Sequence, residues 1–430
     1  MRQTLFSLFA LFLAMLTLML GSGHLGTFLS LRLKAADEPN WLIGLVMAGY
    51  YIGLVAGAWV CPKVLQRVGH IRAFAVFAAI NSANVLAQGI FLNAIVWLPL
   101  RVLTGLSMMG MFMVVESWLN ERAPREYRGR VFSVYMVVSY LGLGGGQFML
   151  NIAPIESPLH FFVIGALFSL CLLPVSLTRA MHPAPVEPVH FNWSRLYKTA
   201  PFGIVGAFVA GLMNGSFYAL APLYVRAIGL DVSEIAIFMA ATIFGGLMMQ
   251  YPIGMISDRV DRRTVLATLT ILSAATSIGL LAVGGEYLLL LYVTGVLFGG
   301  LLFTSYPVAV AHTHDHFEAN QVVTVSAALI VVYGLGAAIG PISASGLVYL
   351  LGPRGLFVFI ASAGLLFGLV AWLKRTEEEV SVEDQEPFVP VPSTASPIIT
   401  TLDPRADEEQ VDLEEIEEVV EEDEDRKAEE

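Results

Sequence analysis

The fold is decided by long apolar stretches such as residues 5–31, LFSLFALFLAMLTLMLGSGHLGTFLSL, in which His24 is the only ionisable residue. A helix needs ~20 mainly apolar residues to cross the roughly 30 Å of hydrocarbon in a bilayer. This stretch exceeds the ~7–15 apolar residues of a secretory signal, and no small-x-small cleavage site follows it cleanly. It is therefore predicted to be a retained membrane-spanning helix.

The composition of the chain agrees with a membrane protein. Its 430 residues are 56% apolar and 14% charged, and the mean hydropathy is +0.70. A soluble protein carries about 25% charged and roughly 45–50% apolar residues. A soluble enzyme, a disordered protein and a nucleic-acid binder are therefore excluded, and the two cysteines, Cys61 and Cys171, form no disulfide scaffold.

Apolar runs of similar length recur along the chain. Twelve segments reach the length of a membrane crossing, and they cover residues 5–31, 41–60, 72–93, 95–118, 131–153, 159–179, 201–224, 233–252, 264–284, 286–309, 321–350 and 354–373. Backbone polar groups in lipid must be paired within their own segment, so these segments are helices rather than strands. The predicted fold class is an all-α integral membrane protein with 12 transmembrane helices.

Lysine and arginine predict the orientation of these helices. With the N-terminus inside, 16 of them fall on the cytoplasmic side and four on the outside, so both termini are predicted to be cytoplasmic.

The net charge of −12 hides an uneven distribution of charge along the chain. Residues 374–430 hold 22 of the 36 acidic residues and only 5 of the 24 basic ones.

The two halves of the chain match each other at an offset near 192 residues. Phe28–Arg32 aligns with Pro222–Arg226, and Gln66–Gly69 aligns with Asp258–Asp261. Repeated halves place a substrate site between them near the middle of the membrane. The predicted domains are a six-helix bundle at 1–179, a proline-rich cytoplasmic linker at 180–200 with a short helix near Asn192–Lys198, a second six-helix bundle at 201–373 and a disordered acidic cytoplasmic tail at 374–430.

One loop carries a specific signature. Gly254-Met255-Ile256-Ser257-Asp258-Arg259-Val260-Asp261-Arg262-Arg263 resembles the Gly-x-x-x-Asp-Arg-x-Gly-Arg-Arg loop of the major facilitator superfamily and departs from it only at Asp261. The loop Gln66–His70 is a degraded first copy without the aspartate, and Arg101-x-x-x-Gly105 and Glu121-x-x-Pro124-x-x-x-Arg128 resemble further family motifs. Residues 1–373 are thus similar to this superfamily, and within it to the YcaD-like bacterial branch. The resemblance implies a transporter built from two six-helix repeats.

Charged residues at the predicted inner face are candidates for a cytoplasmic gate. In this hypothesis they pair across the halves when the inner side is closed and separate when it opens. The alternative is positive-inside topology alone, which needs no pairing. The candidate gate residues are Arg67, Glu121, Arg128, Asp258, Arg259, Arg262 and Arg263.

Three ionisable residues lie within the predicted helices, where a charge at the bilayer centre costs ~2.5–3.5 kcal/mol on insertion scales. Glu116 is a candidate proton-coupling site, or a partner of a nearby loop arginine. Arg101 is a candidate for binding an anionic substrate or steering a proton, or a side chain that extends to the outer interface. His24 is a candidate proton site, or a hydrogen-bonded packing residue.

Neutral polar residues offer further candidates. Asn214 and Tyr218 are four residues apart on the seventh predicted helix and therefore share a face. With His24 from the repeat-related first helix, they are predicted to line the cavity, and the alternative is polar bridging between helices. The scarcity of charge in the helices favours a neutral or weakly charged, fairly apolar substrate.

No cofactor or metal site is predicted. His312-Thr313-His314-Asp315-His316 invites a metal interpretation, and the alternative is a hydrated polar loop or a gate partner in the second half. The chain has no Walker motif, dinucleotide fingerprint or nucleophile elbow, so no enzymatic activity is expected. Concentrative transport would then use an ion gradient, with protons as the expected ion.

The tail divides into two parts. Residues 386–404 are rich in proline, serine and threonine, and are predicted to be extended and disordered. In the acidic part, 407–430, Leu413, Ile416 and Val420 have helical spacing, so a partner could fold it. The alternative is a solvated acidic tail that membrane phosphates repel.

These observations predict a secondary active transporter, a monomer in the bacterial inner membrane, that moves a small molecule by alternating access with proton coupling. Its expected partners are the substrate, protons and the lipid bilayer, and not nucleic acid. The alternative from another class is a membrane sensor or scaffold on a transporter fold, with the acidic tail as its output.

Overall fold

The computed structural model describes residues 2–123, 127–177, 193–318 and 321–374, and in the tail Glu383, Gln385, Phe388, Val389 and Ser396. The first helices are α1 (Arg2–Ala35), α2 (Asn40–Val68), α3 (His70–Ile90), α4 (Ala94–Arg122), α5 (Arg128–Phe148), α6 (Leu159–Leu170) and α7 (Leu172–Ser176). The later helices are α8 (Trp193–Thr199), α9 (Pro201–Ala227), α10 (Val232–Ser257), α11 (Arg262–Val283), α12 (Leu288–His314), α13 (Val322–Leu351) and α14 (Gly355–Leu373). Two 3-10 turns, Met149–Ile152 and Gly352–Arg354, follow α5 and α13.

Eleven helical stretches of the described chain are long and apolar enough to cross a membrane. The longest, Val322–Leu373, has 52 residues and contains both α13 and α14. The prediction of an all-helical membrane protein is confirmed, and the count of twelve crossings stays a prediction. Pro124, most of the linker and the acidic part of the tail lie outside the described residues.

Local sequence fixes where several helices begin. The Asn93 side chain caps α4, and Asp231 caps α10 in a capping box with Glu234. Asp261, which replaces the family's glycine, accepts hydrogen bonds from the backbone of Arg263 and Thr264 and so caps α11. Between the caps the side chains are mainly apolar, so the backbone N–H and C=O groups of each helix hydrogen-bond to one another.

The helices form two bundles. Helices α1–α7 pack mainly among themselves, with α2 against α4 and α1 against α5, and α9–α14 do the same, with α9 against α13 and α10 against α12. Helices α2 and α10 begin at residues 40 and 232, and α3 and α11 begin at residues 70 and 262. Both pairs are separated by the 192 residues that the sequence repeat predicts.

The helix pairs with the most contacts between the bundles are α2 with α13, α5 with α10, and α1 with α9, and α2 also contacts α9. Ser233, near the start of α10, donates a hydrogen bond of 2.7 Å to Asn151 beyond the end of α5. Gln250, closer to the end of α10, donates one of 2.8 Å to the Tyr140 hydroxyl. The bundles therefore touch near the start of α10 and again closer to its end.

Small residues bring α2 and α4 into backbone contact. A Cβ atom on Gly105 would lie 1.9 Å from the carbonyl oxygen of Tyr50, and a Cβ atom on Gly53 would lie 1.9 Å from that of Val102. No side chain fits at these distances, so only glycine permits this approach. The contact fixes the positions of Tyr50 on α2 and of the neighbouring Arg101 on α4.

Replacing Gly105 by alanine is therefore expected to destabilise the protein. Overpacking a close contact costs about 1–3 kcal/mol, because the helices must move apart or strain. Thermal unfolding of the purified protein in detergent measures the effect as a lowered Tm. Gly346→Ala is the matched control, since a Cβ atom there meets nothing within 4 Å. An equal Tm for the two variants would contradict the close packing of α2 on α4.

Candidate functional site

A cavity of about 80 Å3 lies where α9 of the second bundle meets the first bundle. It is lined mainly by α1, α2, α4 and α5, and α9 contributes Tyr218 and Ala219. Its polar lining residues are Ser22, Thr27, Tyr50, Tyr51, Arg101, Thr104, Gln147 and Tyr218. A concave space with mostly apolar walls and a few polar groups is the usual form of a small-molecule site.

Arg101 supplies the cationic group of the cavity lining. The residue is only 5% exposed, and its guanidinium carbon lies 4.9 Å from the centre of the Tyr50 ring. Within the described chain no carboxylate lies at ion-pair distance from Arg101, and its Nε has no hydrogen-bond partner. A buried cation without a counter-ion is unfavourable. The site is therefore suited to an anionic group, and the side chain lies in the cavity rather than at the outer interface.

Tyrosines from both bundles surround the cavity. Tyr218 of α9 and Tyr50 and Tyr51 of α2 line the cavity, and Tyr140 and Tyr333 lie near Tyr218 outside that lining. These side chains come from α2, α5, α9 and α13, so the cluster spans the junction of the bundles. A tyrosine offers a flat apolar ring and one hydroxyl group. The walls therefore suit an organic molecule with a planar apolar part.

His24 lies outside the cavity lining. It is fully buried, and its Nε2 lies 2.9 Å from Nδ1 of His160. The His160 Nε2 lies 3.1 Å from the carbonyl oxygens of Ala153 and Pro154, so it donates there, and its Nδ1 accepts from His24. This arrangement joins α1 to α6, and it matches the alternative of a hydrogen-bonded packing residue.

Asn214 and Tyr218 have different surroundings, although they share a face of α9. Tyr218 lines the cavity. Asn214 is fully buried outside that lining, and its amide donates a hydrogen bond of 3.1 Å to the Tyr333 hydroxyl on α13. Of the five candidate substrate or proton residues, the structure brings Arg101 and Tyr218 together in the cavity, and it places His24, Asn214 and Glu116 outside its lining.

Glu116 is fully buried near the end of α4. The Tyr135 hydroxyl of α5 donates a hydrogen bond of 2.6 Å to Oε1, and the backbone N–H of Ser396 in the tail donates one of 2.9 Å to Oε2. Within the described chain its partners are thus a tyrosine and a tail serine rather than a loop arginine. About 22 Å of helix rise separates it from Arg101 on the same helix.

The end of the bundles where α4 and α10 finish carries Arg67, Arg128, Arg259, Arg262 and Arg263, and we call it the arginine-rich end. At this end Arg262 is fully buried. Its guanidinium pairs with Asp258 at 3.1 Å and also with Asp315. Both carboxylates belong to the second bundle, so these pairs act within it rather than across the two bundles.

The other candidate gate residues occupy two environments. Arg67, Glu121 and Arg259 are exposed, and Arg128 is half-buried. Arg263 is buried, with its guanidinium carbon 3.5 Å from the centre of the Phe202 ring. Pairing of these residues across the bundles stays a prediction for another conformation of the protein.

The histidine-rich segment is partly helical rather than a loop, because His312 and His314 form the last turn of α12. His314 lies 2.8 Å from the Ser326 hydroxyl, and His316 donates a hydrogen bond of 2.8 Å to the carbonyl oxygen of His312. Asp315 pairs with Arg262. The described residues contain no group of three metal-ligating side chains.

Sequence reasoning missed several residues of these sites. Tyr50 and Tyr51 lie in an apolar run that shows no sign of a cavity, although Gly49 and Gly53 beside them signal close packing. Tyr135 and Ser396 are 19 and 280 residues away from Glu116 in the chain. Only the tertiary structure brings these hydroxyl groups to the carboxylate.

Two bundles of membrane-length helices with a cavity where they meet are the architecture of many multi-pass membrane transporters. The profile of the Major Facilitator Superfamily matches residues 8–249 and again residues 203–405. The chain belongs to this superfamily, which confirms the resemblance carried by the Gly254–Arg263 loop.

Two bacterial relatives illustrate the similarity. The chain is 28% identical over 373 residues to an uncharacterized MFS-type transporter of Enterobacter sp. (strain 638), covering 86% of this chain and 96% of that protein. It is 29% identical over 362 residues to the uncharacterized MFS-type transporter YcaD of Salmonella typhi, covering 83% and 92%. These matches agree with the predicted YcaD-like branch and with a multi-pass bacterial membrane protein.

Solved structures share the fold. The nucleoside transporter NupG superposes with a TM-score of 0.71 at 12% identity, covering 88% of this chain and 100% of NupG. A bacterial homologue of the human lysosomal transporter Spinster, in an inward-facing and unoccupied conformation, gives 0.69 at 14% identity, covering 88% and 99%. At these identities the likeness concerns the fold alone. The comparisons do not favour the sensor or scaffold alternative.

Proposed function

We propose that the protein is a secondary active transporter that moves a small organic anion across the bacterial inner membrane by alternating access, coupled to protons. The observation that carries the proposal is the buried Arg101 guanidinium, which lines the cavity between the bundles and has no carboxylate partner in the described chain. An anionic substrate differs from the neutral or weakly charged one that the scarcity of charge in the helices favours.

The orientation follows from charge. The arginine-rich end faces the cytoplasm under the positive-inside rule, which also places both termini there. Val322–Leu373 has 52 residues, enough for two crossings of ~20 residues each, and the turn Gly352–Arg354 divides it, so the chain crosses twelve times. A single chain supplies both bundles and the cavity, so the working unit is a monomer.

Proton coupling is assigned to Glu116. A carboxylate buried in a membrane helix can bind and release a proton as its access alternates between the two sides. Glu116 and Arg101 lie on the same helix, so a movement of α4 changes the surroundings of both. The proton and the substrate anion would then bind at separate positions of one moving element.

A thermal-shift screen of the purified protein tests the charge of the substrate. The probes are aromatic and aliphatic carboxylates, each paired with its primary amide, which keeps the shape and removes the charge. A ligand at 100 times its dissociation constant adds about 2.7 kcal/mol to folding stability, so a bound carboxylate is expected to raise Tm and its amide is not. Amides that stabilise the protein as well as their acids would contradict the anion assignment.

A further inference from the structure

Three described residues of the tail contact the bundles. The side chains of Phe388 and Val389 are half-buried and pack against the apolar core, and Ser396 is 0% exposed. A solvated, disordered tail would leave these side chains in water. At these positions the structure therefore differs from the predicted free tail, because the Pro-Ser-Thr-rich segment also contains residues that can be buried.

Ser396 binds the carboxylate of Glu116 with two donors. Its backbone N–H lies 2.9 Å from Oε2, and its hydroxyl group donates to the same oxygen. The Tyr135 hydroxyl donates to Oε1. An ionised carboxylate accepts hydrogen bonds at both oxygens, so these three donors satisfy Glu116 in its charged form. Ser396 thus binds Oε2, the carboxylate oxygen of Glu116 to which Tyr135 does not donate.

Phe388 makes the second contact, at the end of α10. Its backbone N–H donates a hydrogen bond of 2.7 Å to the Asp258 carboxylate. Its ring packs on Gly254, where a Cβ atom would lie 2.5 Å from the ring atom Cδ1 of Phe388. The glycine and the aspartate of the family loop therefore both form part of the surface that the tail covers.

The two contacts lie on different bundles. Glu116 belongs to α4 of the first bundle, and Asp258 ends α10 of the second. A ligand that binds both partners in one relative position stabilises that position over the others. We propose that the C-terminal tail is an intramolecular ligand of this protein, which docks through Phe388 and Ser396 onto Asp258 and Glu116 and holds the two bundles in the present conformation.

The regulatory consequence rests on the proposed transport function. While Ser396 is bound, both oxygens of the Glu116 carboxylate accept hydrogen bonds from the protein, and the bundles are linked at the arginine-rich end. Transport requires the bundles to move relative to each other. Docking of the tail is therefore autoinhibitory, and release of the tail starts the cycle.

Maleimide labelling of a single cysteine tests docking without any substrate. The full-length protein carries Ser396→Cys, which keeps the backbone donor, and its two buried native cysteines, Cys61 and Cys171, are replaced by alanine. The release variant adds Phe388→Asp, which removes the ring from Gly254 and places a negative charge beside Asp258. The thiol is expected to react at least about tenfold more slowly without the release substitution than with it, since labelling follows the undocked fraction.

The matched control is Glu383→Cys, a thiol at an exposed position of the same tail. Its labelling rate is expected to be the same with and without Phe388→Asp, and equal Tm values show that both proteins keep their fold. Equal rates at Ser396→Cys with and without Phe388→Asp would overturn docking, whatever the protein transports.

Transport by the same full-length proteins in liposomes tests the regulatory step. Once the carboxylate screen has identified a transported probe, Phe388→Asp is expected to raise its initial rate severalfold over the unchanged tail. Slow labelling of Ser396→Cys combined with an unchanged transport rate in Phe388→Asp would leave docking intact and overturn autoinhibition. Absence of transport in every variant would instead contradict the proposed function.

Discussion

Replacing Arg101 by glutamine is expected to weaken binding of an anionic substrate by at least about 30-fold, because removing one partner of a buried charge pair costs ~2–5 kcal/mol. Arg101 is 5% exposed and lines the cavity without a carboxylate partner in the described chain, so the substrate supplies its counter-ion. Titration of the purified protein with a carboxylate found in the screen measures the loss.

The stability of this variant separates a binding role from a structural one. A buried cation without a partner is unfavourable for folding, so Arg101→Gln is expected to unfold at the same temperature as the unchanged protein, or higher. Arg354→Gln, at an exposed position, is the matched control and should bind the carboxylate normally. A carboxylate that binds Arg101→Gln as tightly as the unchanged protein would remove Arg101 from the substrate site.

Glu116→Gln is expected to abolish accumulation driven by a pH gradient. For one proton per substrate molecule, a gradient of one pH unit is worth about 1.4 kcal/mol and supports roughly tenfold accumulation. Glutamine keeps the size and a carbonyl acceptor but cannot bind and release the proton, so the inside-to-outside ratio is expected to fall to about 1. Liposomes with an imposed pH gradient and a labelled carboxylate measure the ratio.

Two comparisons make this result specific to Glu116. Glu286→Gln removes an exposed carboxylate between α11 and α12 and should leave the accumulation ratio unchanged. Exchange of labelled for unlabelled substrate without a gradient should persist in Glu116→Gln, because exchange needs no net proton movement. Gradient-driven accumulation equal to that of the unchanged protein would eliminate Glu116 as the coupling site.

Most of the fold follows from features that are local in sequence. The length and apolarity of segments such as residues 5–31 indicate membrane helices, since the thickness of the bilayer sets the number of residues needed. The repeat at 192 residues identified α10 as the counterpart of α2 in the second bundle, and the Gly254–Arg263 loop identified the superfamily. Each of these features can be read from neighbouring residues or from a single offset.

The candidate site depended far more on tertiary structure. Sequence selected Arg101 and Tyr218, which line the cavity, but it grouped them with His24 and Asn214, which form buried hydrogen bonds elsewhere. In a soluble helix the polar face reveals which side is exposed. In a membrane helix the lipid-facing side and the packed side are both apolar, so the sequence does not fix the rotation of the helix about its axis.

The sequence by itself thus determined a membrane protein of repeated helical bundles, its superfamily, and a short set of polar residues within the helices. The tertiary structure decided that Arg101 faces a cavity shared by both bundles, and that Ser396 meets Glu116 across 280 residues of chain. Hydropathy and motif spacing arise from local interactions with lipid and backbone. Contacts between distant residues arise from how the helices rotate and pack, and each helix acquires that geometry only from its neighbours.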